Sequence, residues 1–234
     1  MKSDALDALG AHCGLNGRQL RQLSLILDEL ERDEHAPTAI RDGRRAVDIH
    51  LADSLAALEL DAIHAAASIA DLGAGAGFPG VALAIALPET EIRLVESRGR
   101  TCEFLERVCA YAEIENARVV RARAEEWGEG SSANDAVVAR ALAPQPVVLE
   151  YAAPLLRVGG TLVDWRGRRA QTEEQAALRA AEELGLRRLE IRRVEPFKGA
   201  TDHHLHLYLK ERDTPERFPR RAGMARKRPL GSVQ

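Results

Sequence analysis

Apolar side chains in the first 65 residues recur at helical spacing. Two stripes with steps of three and four residues are visible: Leu20, Leu23, Leu27 and Leu30, then Val47, Leu51, Leu55 and Leu58. Such steps place side chains on one face of an α-helix. The pattern therefore predicts an N-terminal helical extension over residues 1–65.

From residue 68 onward the pattern changes, and short apolar runs alternate with helical stretches. Seven strands are predicted, at 68–72, 91–96, 117–121, 134–139, 159–165, 188–195 and 204–210. Helices are expected after each of the first four strands and over 171–184. Alternating strands and helices are typical of a mainly parallel sheet. Residues 66–212 are therefore predicted to form a Rossmann-like α/β domain.

The last two predicted strands are separated only by residues 196–203. A parallel connection needs about a dozen residues or more, so this pair is expected to form an antiparallel hairpin. Dinucleotide-binding Rossmann domains are usually parallel throughout. A seven-stranded, mostly parallel sheet that ends in an antiparallel hairpin is instead similar to the class I methyltransferase architecture.

The composition is that of an ordinary globular protein, with 45% hydrophobic and 29% charged residues. Aromatic residues make up only 4%, which argues against a stacking platform for single-stranded bases. The three cysteines have no metal-ligand spacing and indicate a reducing compartment. Neither a signal-peptide core nor an apolar run of membrane length is visible. A cytoplasmic protein with no membrane partner is expected.

Basic charge is concentrated after residue 213. From residue 217 onward the sequence has no acidic residue and six basic ones: Arg217, Arg220, Arg221, Arg226, Lys227 and Arg228. Clustered basic side chains are typical of phosphate binding. Residues 213–234 are therefore predicted to be a basic tail that holds RNA through Arg220, Arg221, Arg226, Lys227 and Arg228. The alternative is that this segment packs on the domain and that its arginines reflect a compositional bias of the chain, which has only four lysines. Because the formal net charge is −3, RNA would be held locally rather than by the whole surface.

A glycine-rich turn follows the first predicted strand, with Gly73, Gly75 and Gly77 leading into an apolar helix. Glycine lets the backbone turn sharply and approach a ligand closely, and the N–H groups that begin a helix attract anions. Residues 75–80 alone match the dinucleotide pattern G-x-G-x-x-G. Asp71, two residues before the first glycine, extends the match to the D-x-G-x-G-x-G pattern of methyltransferases. Together with the hairpin, this favours S-adenosylmethionine over NAD. Asp71 and the three glycines Gly73, Gly75 and Gly77 are therefore predicted to contact the cofactor.

Two acidic positions point to an adenosine ligand. Glu96 ends the second strand about 20 residues after the loop, the spacing at which a carboxylate accepts hydrogen bonds from ribose hydroxyls. It would serve NAD and S-adenosylmethionine equally. Ala124 and Glu125 follow the third strand, at the position that flanks the adenine in methyltransferases. Glu125 is explained equally well as an acid at a helix N-terminus.

The fourth strand brings Arg140 to the carboxyl edge of the sheet, where ligands bind in open α/β folds. The motifs that methylate exocyclic amines or pyrimidine C5 are absent from the sequence, and no base is apparent. Guanine N7 has a free lone pair and no proton to lose, so its methylation needs alignment and desolvation above all. Arg140 is suited to hold the guanine O6 edge or a phosphate. A structural ion pair is the alternative, and no other catalytic residue is assigned.

Further basic and imidazole groups lie near the last three strands. Arg166 and Arg168 follow the fifth strand at the ligand edge and are predicted to hold RNA phosphates, with a solvated loop as the alternative. On a strand, His204 and His206 share one face and His203 lies on the other. No carboxylate or thiol at ligand spacing supports them, so they are expected to be solvated or core histidines and no metal is expected.

Taken together, these motifs closely resemble one family, the bacterial 16S ribosomal RNA guanine-N7 methyltransferases. The resemblance extends over nearly the whole chain and rests on residues 38–42, 50–55, 71–80, 94–97, 123–125, 139–141 and 218–230. It implies S-adenosylmethionine as cofactor, with contacts at Gly73, Phe78, Ala124, Glu125 and Arg140. It also implies methyl transfer to N7 of a guanine in the 530-loop region, at position 527 in standard rRNA numbering. The expected partner is 16S rRNA or a small-subunit precursor, and the protein is expected to be a monomer.

Two segments depart from the family pattern. The family usually has Asn-Leu-Thr where this chain has Ala36-Pro37-Thr38, and Lys-Gly where it has Arg166-Gly167. Arginine keeps the charge of lysine but changes the geometry of its contacts. These departures weaken the transfer of RNA contacts rather than of cofactor contacts.

Three other functions are weighed against this one. A methyltransferase acting on a small molecule or protein is disfavoured by the basic tail and the N-terminal match. An NAD(P)-dependent oxidoreductase is disfavoured by the terminal hairpin. A non-catalytic RNA-binding module is disfavoured by the intact glycine loop.

Overall fold

The computed structural model describes residues 2–231, so the last three positions of the predicted basic tail lie outside the described residues. All seven predicted strands are confirmed. Their bounds are β1 (Ser68–Leu72), β2 (Glu91–Glu96), β3 (Ala117–Arg121), β4 (Asn134–Arg140), β5 (Leu156–Arg166), β6 (Leu186–Val194) and β7 (His203–Lys210).

The helices occupy most of the remaining predicted helical positions. Their bounds are α1 (Lys2–Cys13), α2 (Gly17–Arg32), α3 (Gly43–Ala46), α4 (Asp53–Leu55), α5 (Asp61–His64), α6 (Gly80–Ala86), α7 (Gly99–Tyr111), α8 (Gln145–Ala152), α9 (Gln171–Leu184) and α10 (Met224–Lys227). A π-helical turn over Val47–Ala52 joins α3 to α4. The second apolar stripe therefore lies on one nearly continuous helical run.

The prediction of a helix after the third strand is wrong. β3 is followed instead by two 3-10 turns, Ala124–Glu126 and Gly128–Gly130. Two glycines in this short connection disfavour an α-helix. By contrast, α2 is well specified, because the side chain of Asn16 accepts hydrogen bonds from the amides of Arg18 and Gln19 and completes a capping box.

The strands form a single seven-stranded sheet in the order β3-β2-β1-β4-β5-β7-β6. The pairs among the first five strands are parallel. β7 lies between β5 and β6 and is antiparallel to both. The predicted hairpin at the end of the sheet is therefore confirmed.

Alternate residues of each strand face two separate hydrophobic cores. Ile69 of β1 points into one core, which α1, α2, α6 and α7 cover. Ala70 and Leu72 point into the other, which α8 and α9 cover together with Phe218 and Ala225. Both the N-terminal helices and the C-terminal segment thus share a core with the sheet. The division of the chain at residues 65 and 213 stays a prediction.

The sheet order reverses direction at β1 and β4, which are neighbours in the middle of the sheet. Connections leave this point toward opposite edges, so a crevice opens beyond the carboxyl ends of the two strands. The crevice is where the candidate site lies. Among residues 2–231, no helix combines the length and the apolar character needed to cross a membrane.

Candidate functional site

The glycine loop after β1 needs glycine for two separate reasons. Gly73, Gly75 and Gly77 have φ angles of +69°, +54° and +98°, which other residues rarely adopt. Space is also short, because a Cβ on Gly73 would lie 2.6 Å from Cδ1 of Leu142, and a Cβ on Gly77 would lie 2.6 Å from Cγ2 of Val81. The loop therefore packs against its neighbours through bare backbone.

Asp71 anchors the end of this loop from inside the protein. Its side chain is buried, and Oδ2 accepts a hydrogen bond of 2.8 Å from the amide of Gly80, the first residue of α6. Burial raises the pKa of Asp71 to about 7, against the opposing effect of that hydrogen bond. Asp71 was predicted to contact the cofactor directly. The structure places it behind the loop, where it fixes the start of the helix, and not on the wall of the cavity beside the loop.

A cavity of about 350 Å³ opens beside the glycine loop, and we call it the first cavity. Its wall brings together four of the predicted cofactor residues: Gly73, Glu96, Ala124 and Glu125. Two of the four come from the turn after β3, which the sheet places next to the end of β2. The remaining predicted positions, Gly75, Gly77, Phe78 and Arg140, do not line this cavity.

Glu96 is held in one orientation at the end of β2. Its Oε1 accepts hydrogen bonds from the amides of Ser97 (2.8 Å) and Arg98 (2.9 Å). Its Oε2 accepts from the amide of Gly75 at 3.3 Å, which ties the strand end to the glycine loop. Each carboxylate oxygen has two lone pairs, so Glu96 keeps acceptor capacity for a hydroxyl group in the cavity.

The C-terminal segment closes the first cavity. Oε1 of Glu125 accepts a hydrogen bond of 3.1 Å from the amide of Gly223. Arg226 donates to the carbonyl oxygen of Leu142 at 2.9 Å and lines the cavity. Tyr151 of α8 lines the same wall, and burial raises the pKa of its hydroxyl. The segment predicted as a basic tail therefore supplies part of the cavity wall.

Arg220, predicted as an RNA contact, is committed to packing within the protein. Its Nε and Nη2 form a two-pronged contact with Glu150 at 2.8 and 2.5 Å, and Nη2 also donates to the carbonyl oxygen of Arg228. Glu150 is only 1% exposed. The remaining three predicted tail contacts, Arg221, Lys227 and Arg228, are at least partly exposed. The positive charge of a residue therefore does not show whether it pairs within the protein, as Arg220 does, or stays exposed.

A second cavity of about 400 Å³ lies next to the first at the carboxyl edge of β4 and β5. Arg140, Trp165 and Arg166 line it together with Asp53 and His203. Ala141 belongs to the walls of both cavities and has a φ of +54°. Non-glycine residues in this conformation are uncommon and concentrate at functional sites. Ala141 therefore stands where the two cavities meet.

Arg140 is tied to the N-terminal helical run. Its Nη1 donates hydrogen bonds of 2.9 Å to the carbonyl oxygen of Ile49 and to Oδ2 of Asp53. The other carboxylate oxygen of Asp53 lies 2.9 Å from Nδ1 of His203 on β7. Sequence reasoning missed Asp53 and His203 as site residues. The signal available was the match of residues 50–55 to the family pattern, which carried no role for the aspartate.

Phe78, predicted to contact the cofactor, is buried between the ring of His50 and the side chain of Arg140. The rings of Phe78 and His50 are stacked, with centroids 4.7 Å apart and planes within 3°. The guanidinium carbon of Arg140 is 5.8 Å from the Phe78 ring centroid, within the range of a cation–π contact. Burial, with Arg140 nearby, lowers the pKa of His50 to about 4. A neutral His50 is thus part of the support for Arg140.

This arrangement predicts a specific pH dependence of stability. His50 binds a proton near pH 6.5 when unfolded but only near pH 4 when folded, so its contribution is lost as the pH falls below 6.5. Between about pH 7.5 and pH 5, the wild type should lose about 2 kcal/mol more unfolding free energy than His50→Gln. Urea unfolding of both proteins at each pH measures this, and His206 titrates equally in the two. Parallel pH profiles would contradict it.

The two arginines after β5 have different surroundings. Arg166 donates to the carbonyl oxygen of Ala143 at 2.8 Å and pairs with Glu173, so it is held in the wall of the second cavity. The side chain of Arg168 is 87% exposed, with only a 3.9 Å contact to Asp202. Arg168 is therefore the more available of the two for an external phosphate.

The three histidines of β7 face as predicted. His204 and His206 lie on one face with ring centroids 6.5 Å apart, whereas His203 reaches Asp53 on the other. His206 is buried, and burial lowers its pKa to about 4. Within residues 2–231, no group of three or more histidine, cysteine or acidic side chains is placed to hold a metal ion.

Solved structures with a similar fold include S-adenosylmethionine-dependent methyltransferases. The S-adenosylmethionine-dependent O-methyltransferase of Thermotoga maritima aligns with a TM-score of 0.55 at 17% identity, covering 82% of this chain and 73% of that one. The mitomycin 7-O-methyltransferase MmcR aligns with a TM-score of 0.57 at 16% identity, over 73% and 55% of the two chains. These likenesses show that the chain has the Rossmann-like fold of these enzymes.

Sequence comparison identifies the family. The model of the rRNA small subunit methyltransferase G family matches residues 18–204. The ribosomal RNA small subunit methyltransferase G of Desulfitobacterium hafniense is 38% identical, over 92% of this chain and 91% of that protein. Its counterpart in Chloroflexus aggregans is 40% identical over 92% of each. The chain belongs to the rRNA small subunit methyltransferase G family, which confirms the resemblance found in the sequence.

Proposed function

We propose that the protein transfers a methyl group from S-adenosylmethionine to N7 of a guanine in the 530-loop region of 16S rRNA. The observation that carries the proposal is the meeting of two cavities at Ala141, with Glu96 in the first and Arg140 in the second. A methyl donor and an acceptor base need adjoining sites of this kind. Family membership supports small-subunit rRNA as the substrate.

The residues of the first cavity fit the cofactor. The Glu96 carboxylate, held by the amides of Ser97 and Arg98, is placed to accept hydrogen bonds from ribose hydroxyls. At Gly73, a Cβ would lie 2.6 Å from Cδ1 of Leu142, so glycine lets the loop and Leu142 form this part of the cavity wall together. Ala124 and Glu125 would flank the adenine, while Asp71 would act from behind by fixing the loop.

The chemistry proposed for the second cavity needs no base from the protein. When bound, S-adenosylmethionine would supply a sulfonium methyl group. The N7 lone pair would form the new carbon–nitrogen bond, sulfur would keep the electron pair of the broken carbon–sulfur bond, and the positive charge would pass to the guanine without loss of a proton. Arg140, fixed by Asp53 and supported by Phe78, would orient the O6 edge of the base.

The substrate would be 16S rRNA or a small-subunit precursor bound by a monomer in the cytoplasm. Arg168, Arg221, Arg226, Lys227 and Arg228 are the predicted phosphate contacts that remain exposed, and Arg226 also lines the first cavity. Arg166 and Arg220 were also predicted to bind RNA, but their ion pairs with Glu173 and Glu150 hold them within the protein.

The proposed hydrogen bonds between Glu96 and the ribose predict that Glu96→Ala weakens binding of the cofactor. Loss of hydrogen bonds to a charged acceptor costs about 1–3 kcal/mol, so the dissociation constant for S-adenosylmethionine should rise by a factor of about 5–150. Titration calorimetry measures it. Glu91→Ala, at the exposed start of the same strand, is the matched control and should bind normally. Unchanged affinity of Glu96→Ala would remove Glu96 from the cofactor site.

Methylation at guanine N7 is tested by chemical mapping of 7-methylguanosine in small-subunit rRNA. Cells with the gene should carry the modification in the 530-loop region, and cells without it should lack it. Purified protein with S-adenosylmethionine should restore the modification on subunits from the deficient cells. Persistence of the modification without the gene, or its appearance elsewhere, would overturn the proposed position.

A further inference from the structure

Asp53 joins three parts of the chain that are distant in sequence. Its Oδ2 accepts from Nη1 of Arg140, and its Oδ1 lies 2.9 Å from Nδ1 of His203. Its backbone carbonyl oxygen accepts a hydrogen bond of 2.8 Å from Nε1 of Trp165. The Asp53 side chain is 9% exposed. Both carboxylate oxygens and the backbone are therefore engaged, which leaves Asp53 little freedom to turn.

The contact with Asp53 determines which ring nitrogen of His203 carries the proton and which one faces the second cavity with a lone pair. An ionised carboxylate only accepts hydrogen bonds, so Nδ1 of a neutral His203 carries the proton and Nε2 keeps its lone pair. Among residues 2–231, no side chain or backbone group donates to that Nε2. The ring is 32% exposed and lines the cavity, and the edge-on Phe197 ring at 5.5 Å limits its movement.

We propose that Nε2 of His203 contacts the Watson–Crick edge of the acceptor guanine, and that Asp53 is a positioning residue that fixes the tautomer required. This inference rests on the proposed function. Guanine carries hydrogen-bond donors at N1 and N2, whereas adenine has an unprotonated N1 that would face the Nε2 lone pair. His203 is a wall residue of the second cavity and not of the first. A base whose N7 points toward Ala141 would therefore direct its N1 edge away from the first cavity, to the side available to His203.

The two contacts together would select guanine. Arg140 offers a donor to O6, and His203 offers an acceptor to N1–H. An adenine presents the opposite polarity at both atoms, and a site built around such contacts rejects the mismatched base strongly. His203 is thus a specificity-determining residue for the acceptor, while Asp53 acts through it and through Arg140.

The decisive experiment compares RNA that has guanine at the target position with RNA that has 2,6-diaminopurine there. The analogue keeps N7 but lacks both N1–H and O6. For the wild type, kcat/KM should favour guanine by about a hundredfold or more. His203→Ala should narrow that preference by at least about tenfold, and His203→Gln, whose amide oxygen is an acceptor, should restore part of it. A merely structural role would lower both rates equally.

Asp53→Asn tests the tautomer directly. An amide nitrogen near Nδ1 would donate to the ring, so the ¹⁵N NMR signals of His203 should report a proton on Nε2 instead of Nδ1. Guanine preference should fall as in His203→Ala, while the dissociation constant for S-adenosylmethionine should stay within about twofold, because Asp53 does not line the first cavity. His35→Gln, a histidine whose side chain is 90% exposed, is the control and should change none of these quantities.

The outcomes separate the two proposals. An unaltered guanine preference in His203→Ala, alongside a wild type that makes 7-methylguanosine, would overturn the role of His203 and leave the proposed function standing. A wild type that forms no 7-methylguanosine on deficient subunits would overturn the proposed function. An unchanged His203 tautomer in Asp53→Asn would overturn the positioning role, whatever the activity.

Discussion

Arg220→Met is expected to lower the free energy of unfolding by about 3 kcal/mol. The change removes the partner of Glu150, which is 1% exposed, and leaves a carboxylate buried without its two charge-assisted hydrogen bonds. Breaking a buried ion pair on one side costs about 3–5 kcal/mol. The Arg220 side chain is 24% exposed, so water relieves part of that cost and the lower end of the range applies.

Two further variants distinguish loss of the ion pair from loss of basic charge. Lys227→Met removes a positive charge from an exposed position of the same segment and should change the unfolding free energy by less than about 0.5 kcal/mol. Arg220→Met combined with Glu150→Met should recover most of the stability, because no buried charge remains. Urea unfolding measures all three. Equal stability of Arg220→Met and Lys227→Met would show that the contact with Glu150 contributes nothing.

Gly73→Val is expected to raise the dissociation constant for S-adenosylmethionine by about tenfold or more. A residue with a Cβ pays roughly 1–2 kcal/mol at the observed φ of +69°. Its Cβ would also lie 2.6 Å from Cδ1 of Leu142, so the end of the Leu142 side chain must move. Gly73 and Leu142 both line the first cavity, so relief of the clash must reshape the cavity wall.

Gly14→Val is the matched control for backbone strain. Gly14 has a nearly identical φ of +68°, but nothing lies within 4 Å of the position that a Cβ would occupy there. This variant should lose some stability and keep normal cofactor affinity by calorimetry. A folded Gly73→Val protein that binds S-adenosylmethionine as tightly as Gly14→Val would show that the loop is not part of the cofactor site.

Features encoded by neighbouring residues could be predicted from the sequence. The strands follow from short apolar runs, and the hairpin of β6 and β7 follows from a connection too short to cross the sheet. The glycine loop could be recognised from its own residues, because each positive φ angle requires a glycine at that position. Glu96 could be placed beside it, since parallel strands bring their carboxyl ends to one edge.

Features that depend on pairing between distant residues could not be predicted. The contacts of Asp53 with Arg140 and His203 span 87 and 150 residues, and no spacing rule connects them. The basic C-terminal segment was interpreted by its charge alone. Its charges reveal neither that Arg220 meets the buried Glu150, 70 residues away, nor that Arg226 reaches the first cavity. Only the folded structure shows that Arg220 stabilises the buried Glu150 whereas Arg226 lines the first cavity.

The position of β7 between β5 and β6 has a consequence for synthesis on the ribosome. The chain emerges in the order β5, β6, β7, but within residues 2–231 β6 pairs only with β7, so it has no strand to pair with when it first leaves the exit tunnel. During that interval the edge of β5 is an open row of backbone donors and acceptors, a template for pairing with another chain. Translation of a few more residues delivers β7, and the completed hairpin can then cover the edge in one step. Slow translation over residues 195–210 would prolong the exposure and favour aggregation of the nascent protein.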